Sequence, residues 1–222
     1  MSRLVCDASS LISLSSTCNI EVLKFLKGKN ARFLIPPAVH SEIVSRPIQI
    51  RKYQFSAVRL RNALTTKSLE VTSVEKLKLK TQEVMNTANN SFFVEERPLR
   101  LVHDGEAECV ALYDFVNANA LLIDEKTTRM MIEDPLRLQK VLQSEYKASV
   151  DVNSKNLSAF SKITKNMFVT RSSEILAAAA KKGFFSEYKD PSLALRAAVY
   201  ALKESGCSLT NKELKGFESV KV

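Results

Sequence analysis

Short, nearly unbroken apolar runs punctuate this chain, and longer stretches of helical spacing lie between them. Leu4-Val5-Cys6 leads into Asp7, then Ser9 and Ser10, then Leu11 and Ile12. A run this short, bounded by polar residues, reads as a buried strand over 3–7 that delivers Asp7 to its C-terminal edge, with a helix opening just beyond. Similar runs predict strands at 32–35, 69–71, 120–123 and 167–170. Helical spacing over 20–27 places Val22, Leu23 and Leu26 on one face, and Gly28 stops it. Residues 38–45 follow, with Val39 and Ile43 one turn apart, Pro37 in the first turn and Pro47 at the end. Residues 49–64 read as a basic amphipathic helix whose apolar side is Tyr53, Phe55, Val58, Leu60 and Leu64. Helices are also expected at 74–86, 104–117, 126–133, from Pro135, at 174–182 with Ser172 or Ser173 as N-cap, at 191–205, and briefly after Ser208. The polar stretch 86–100, broken by Pro98, reads as a loop, and 148–166 fits no single period.

Strands alternating with helices imply an α/β fold, a parallel sheet covered on both faces. In such sheets functional groups gather beyond the C-terminal strand edge. Asp7 and Asp124 both end predicted strands. Glu42 lies in the second turn of the helix after the 32–35 strand. Glu106 heads the helix that feeds the Asp124 strand.

Composition narrows the partners. The 222 residues suffice for one large domain, or one with a small appendage. No apolar run approaches the roughly 20 residues of a membrane span, and Asp7 interrupts the N-terminal apolar run, which excludes a secretory leader of the usual form. A cytoplasmic protein with no membrane partner is expected. Cys6, Cys18, Cys109 and Cys207 are isolated, which argues against a disulfide framework or a structural zinc site. The net charge of +9 favours solubility and equally suits a polyanion such as nucleic acid.

Several carboxylates in one pocket repel and raise each other's pKa, a conflict that a hard divalent cation removes. Such a cation also activates water and offsets charge on a phosphate, so no His, Cys or Ser nucleophile is required. Each acid has a plainer reading alone: Asp7 as a helix cap, Glu42 as a solvated helix acid, Glu106 and Glu108 as complements to a helix dipole, Asp124 as the cap of the helix from Lys126.

The segments LVCDASSLISL (4–14), FLIPPAVHSEIV (33–44), DGEAECVALYDFVNANALLIDEKTTRMMIE (104–133) and FVTRSSEILAAAAKKGFF (168–185) resemble the PIN domain (PilT N-terminus) nuclease family, which includes the VapC-like toxins. With PSLALRAAVYALKESG (191–206), the likeness is to a branch with a GEAE motif and a C-terminal helical extension. The resemblance implies a three-layer fold with a central parallel sheet. The expected organisation is a PIN-like domain over 1–185, with a basic helical insertion at about 48–100, followed by a helical extension over 186–222. By position, Asp7, Glu42, Glu106 and Asp124 match the family's metal-binding acids, with Asp104 and Glu108 as alternates for the third. Ser9 matches the hydroxyl residue that braces the cluster.

The implied activity is a Mg²⁺- or Mn²⁺-dependent endoribonuclease. Arg51, Lys52, Arg59, Arg61 and Arg129 are candidate phosphate contacts to RNA, and equally a solvated face. A homodimer, an antitoxin and an RNA-processing protein are the partners to consider. The competing functions are an RNA- or protein-binding scaffold of weak activity, or a toxin. A haloacid-dehalogenase phosphatase also begins with a strand-end Asp, but it needs a second Asp where this chain has Ser9.

Overall fold

The protein is described by a computed structural model covering residues 1–220. Its strands are β1 (Ser2–Cys6), β2 (Ala31–Ile35), β3 (Glu70–Val71), β4 (Phe92–Val94), β5 (Arg97–Pro98), β6 (Ala120–Leu122), β7 (Asp151–Val152) and β8 (Val169–Thr170). Its helices are α1 (Ala8–Ser16), α2 (Glu21–Lys27), α3 (Pro37–His40), α4 (Arg51–Thr65), α5 (Leu77–Asn89), α6 (Asp104–Phe115), α7 (Lys126–Glu133), α8 (Pro135–Tyr146), α9 (Ser154–Ile163), α10 (Ser172–Ala180), α11 (Pro191–Glu204) and α12 (Asn211–Glu218). Among the described residues, no helix is long and apolar enough to cross a membrane.

A five-stranded parallel sheet in the order β3-β2-β1-β6-β8 forms the centre, with helices on both faces. Leu4 and Val5 pair with β2 on one side and, together with Cys6, with β6 on the other, and all three side chains are buried. This explains why β1 reads as a continuous apolar run: a parallel strand covered on both faces has no solvent side. Because β1 lies between β2 and β6, the chain end that carries Asp7 emerges at the middle of the C-terminal edge, where the strand order reverses. That is where α/β sheets place their sites.

Three expectations are corrected. The stretch 86–100 is not a loop: α5 runs to Asn89, and β4 and β5 form a hairpin that β7 extends into a second, antiparallel sheet. The hairpin turns on Glu95 and Glu96, both in left-handed backbone conformation. That is the geometry for which Asn-Gly is the usual signal, and Glu-Glu carries no such signal. Pro98 sits on the edge strand, where its missing donor costs nothing.

The second correction concerns α4. It buries Ala57, Leu60 and Ala63, while Tyr53 and Phe55 are 48% and 73% exposed. The aromatic side of the helix faces out, because the small alanines are what allow α4 to approach its neighbours closely. Third, neither Ser172 nor Ser173 caps α10. Arg171 occupies the cap position, and the Ser172 hydroxyl is used elsewhere.

The C-terminal segment is tied down through Arg171, whose side chain is 9% exposed. Its guanidinium bonds Glu174 Oε1 at 2.8 Å, Glu213 Oε1 at 2.8 Å and the Ser208 carbonyl at 3.0 Å. Burial works against the charge of Glu213, but hydrogen bonds from Thr210 and Arg171 outweigh it and hold the carboxyl down to about 2. A depressed carboxylate stabilises the fold above its unfolded value and ceases to as pH falls toward its folded value. Arg171→Ala is therefore expected to cost about 1 kcal/mol at pH 7, through lost hydrogen bonds to the Ser208 carbonyl and to two carboxylates that solvent still reaches. In urea titrations the gap between wild type and variant should narrow as pH falls from 4.5 toward about 2, because Glu213 takes up a proton in the unfolded chain before it does in the fold. A gap independent of pH would remove Glu213 from the account.

Candidate functional site

Asp7 is the N-cap of α1 and is 3% exposed. Its Oδ2 accepts from the Ser9 backbone N–H at 2.9 Å and from the Ser9 hydroxyl at 2.6 Å. The same hydroxyl accepts from Asp124 N–H at 3.1 Å and Glu125 N–H at 3.2 Å. One donated proton and two accepted ones saturate a serine hydroxyl. Ser9 thus fixes the Asp7 carboxylate to the backbone leaving β6. Ser10 repeats the tie below, donating to the carbonyls of Asp7 and Leu122.

Glu42 arrives from the β2 side. Pro37 opens α3 at its first position, where the missing donor is harmless. The helix then widens over Ser41–Ser45 into a π turn, closed by Arg46 N–H to the Ser41 carbonyl at 3.0 Å, and Pro47 prevents it from continuing. Single π turns of this kind recur at functional sites. The turn sets Glu42 against the start of α6. A Cβ on Gly105 would lie 2.9 Å from Glu42 Oε2, so only glycine lets that carboxylate rest directly on the helix backbone.

The three acids of DGEAE separate cleanly. Asp104 is exposed and lies 3.9 Å from Arg100. Glu108 Oε2 accepts from Ala38 N–H at 2.8 Å, which caps α3 and fastens it to α6. Glu106 folds back to accept from His103 N–H at 2.6 Å, and it is the one whose charge meets Asp7. Burial and the nearby Asp7 carboxylate push Glu106 up to about 7. Burial also raises Asp7, overcoming the Ser9 hydrogen bonds, with the charge of Glu125 adding to the rise. Burial and then Asp7 raise Glu42, with Arg46 opposing.

Asp124 is placed differently from these. It is fully buried, and its Oδ1 and Oδ2 accept from Ser172 N–H at 2.8 Å and Ser172 Oγ at 2.6 Å. It fastens β6 to the first turn of α10. Its neighbour Glu125 caps α7, accepting from Thr127 and Thr128 N–H at 2.7 and 2.6 Å, and its charge acts on both Asp7 and Glu106. The structure therefore brings Asp7, Glu42, Glu106 and Glu125 into one field, which the charges of Asp104 and Glu108 also reach at Glu42. The only sequence signal for Glu125 is its place beside Asp124.

The basic residues divide as well. Arg51, Lys52 and Arg61 are exposed on α4. Arg59 hydrogen-bonds the Ser15 carbonyl and lies over the Phe55 ring, bracing α4 on α1. Arg129 lies 3.4 Å from Glu133, and its Nε is buried without a partner.

Among the described residues, no three side chains already stand at metal-ligating positions. None of Asp7, Glu42 or Glu106 has a cationic partner within 4 Å there either. Carboxylate oxygen is the donor chemistry that hard divalent cations take. In charge and donor type, though not in spacing, the residues suit a hard divalent cation. Compared with known families, residues 3–134 match the profile described as DUF3368: PIN domain. No curated protein and no solved structure matches.

Proposed function

The chain belongs to the DUF3368 family of PIN domains, and on that premise we propose that it is a Mg²⁺- or Mn²⁺-dependent endoribonuclease. PIN domains are nucleases in general and use divalent metal ions. The observation that supports the reading here is the uncompensated carboxylate group of Asp7, Glu42 and Glu106 at the sheet's switch point.

Asp7, Glu42 and Glu106 would hold the cation, with Glu125 as the fourth carboxylate of the set. When bound, the cation supplies a water activated as nucleophile at neutral pH and offsets charge on the scissile phosphate. Ser9 holds Asp7 in one orientation, so that little ordering is needed as substrate arrives. Asp124 positions the strand end through Ser172. Gly105 keeps the approach to Glu42 open. Arg51, Lys52 and Arg61 would meet the RNA backbone, which positions the strand without reading its sequence.

We further propose a VapC-like form with the catalytic domain over 1–185 and a helical extension over 186–222, the last two residues of which lie outside the described residues. A homodimer, an antitoxin and an RNA-processing protein are its proposed partners, and the cytoplasm its compartment.

The test is a cleavage assay with purified protein and a mixed RNA pool. Fragments are expected in Mn²⁺ and none in EDTA. RNA that stays intact in Mn²⁺ and in Mg²⁺ contradicts the reading.

A further inference from the structure

We propose that the cavity between α1 and α4 is a nucleobase subsite, so that the substrate is single-stranded and presents an unstacked base beside the scissile phosphate. The inference rests on the nuclease reading and deepens it.

A cavity of about 380 Å³ opens next to the acid cluster and shares Glu42 with it. The volume lies in the range of small-ligand sites, roughly 300–1,000 Å³. Its apolar walls include Ile12, Ile50 and Tyr53, which are 39%, 49% and 48% exposed. Three large apolar side chains grouped around one opening are unlike the single exposed residues that any surface carries. The aromatic ring supplies a stacking face, which every base can use.

Polar groups complete the match. Arg46 and Lys52 line the same cavity, and Lys52 Nζ stands 5.3 Å from the Tyr53 ring centroid. Ring and positive charge are thus available together, as a nucleotide with its flanking phosphates requires. Ser56 is also part of the lining, and its Oγ is buried with no hydrogen-bond partner. Glu42 and Arg46 line the cavity together, so a base held there lies beside the acid cluster.

The duplex is excluded by the same geometry. A base that is paired and stacked in a duplex cannot lay its face on the Tyr53 ring without being unstacked. The exposed Tyr53 of α4 thereby gains a role that a merely solvated basic helix lacks.

The experiment measures binding by fluorescence anisotropy in EDTA, using a short single-stranded RNA, the same strand with successive abasic positions, and its duplex. Cleavage in Mn²⁺ is followed in parallel. Wild type is expected to bind the intact strand about tenfold more tightly than a strand abasic at the subsite position, and to bind the duplex weakly. Tyr53→Ala should weaken binding of the intact strand about tenfold and lose its sensitivity to the abasic position, while Tyr53→Phe retains both. Abasic strands that bind wild type as well as intact ones, or duplex that binds equally, overturn the subsite even if RNA is cut. Unchanged RNA binding by Tyr53→Ala, together with a changed oligomeric state in sedimentation, assigns the cavity to a protein contact and also overturns it. Loss of all cleavage and binding in wild type overturns the nuclease reading itself.

Discussion

Asp7→Asn is expected to lower the RNA-cleavage rate about a thousandfold or more while leaving the metal-free protein at least as stable as wild type. A cation in the site is asked for several kcal/mol of transition-state stabilisation, and each ~1.4 kcal/mol is a factor of ten. Asn removes a ligand charge at the centre of the sheet edge without changing volume. One amide oxygen can still accept from Ser9, so the brace at 2.6 and 2.9 Å has a partner.

Stability should move the other way, because the native fold disfavours these charges. Glu106 is pushed up to about 7 from 4.5 by burial and by Asp7, and Asp7 and Glu42 are raised as well. A carboxyl whose folded pKa is raised binds its proton more tightly when folded. Stability is therefore fully present below the unfolded value and is lost as pH rises through the folded one. For Glu106 that window runs from 4.5 to about 7, and the loss is at most ~3 kcal/mol. Thermal melts in EDTA should show the wild-type midpoint falling across this window and the Asp7→Asn midpoint falling less. Cleavage within tenfold of wild type would exclude Asp7 from the metal set. Activity and stability trade against each other here because the site is a concentration of like charge that only a cation relieves.

The second large effect separates two adjacent acids. Asp124→Ala is expected to destabilise the fold by about 3–5 kcal/mol, since it strands the Ser172 N–H and hydroxyl in a fully buried position. Glu125→Gln should cost ~1 kcal/mol or less, because the amide oxygen still caps one of the two N–H groups of α7. Its effect on cleavage should be larger, about a hundredfold, from the lost charge facing Asp7 and Glu106. Urea unfolding and initial cleavage rates on the two variants decide the matter. If Glu125→Gln cuts normally while Asp124→Asn is folded and inactive, the roles are reversed.

The neighbouring pair also shows where sequence reasoning stops. That β1 is a buried central strand with Asp7 at its end is legible from LVCD alone, since a run without polar alternation fits only a strand covered on both faces. Ser9 is singled out over Ser10 only by the resemblance, which implies a bracing hydroxyl two residues beyond the first acid. Asp124 and Glu125 differ by one residue after a strand, and their directions depend on Ser172, 48 residues away from Asp124. Glu108 is assigned to Ala38 by a bond across 70 residues, which no local pattern encodes. On α4 the apolar spacing suggested that Tyr53 and Phe55 face the core. Yet the face that is buried runs through Ala57, Leu60 and Ala63, and two of those three are alanines, which carry too little hydrophobicity to reveal it. The Glu95-Glu96 turn escaped for the opposite reason: its backbone is specified by the strands it joins, not by its own residues.

The most direct measurement is the anomalous scattering of Mn²⁺ soaked into crystals of the protein. The account predicts a peak at the C-terminal edge between β1 and β6, with carboxylate oxygens of Asp7, Glu42 and Glu106 about 2.1 Å from it. No peak there, or a peak coordinated by none of these three side chains, would contradict it.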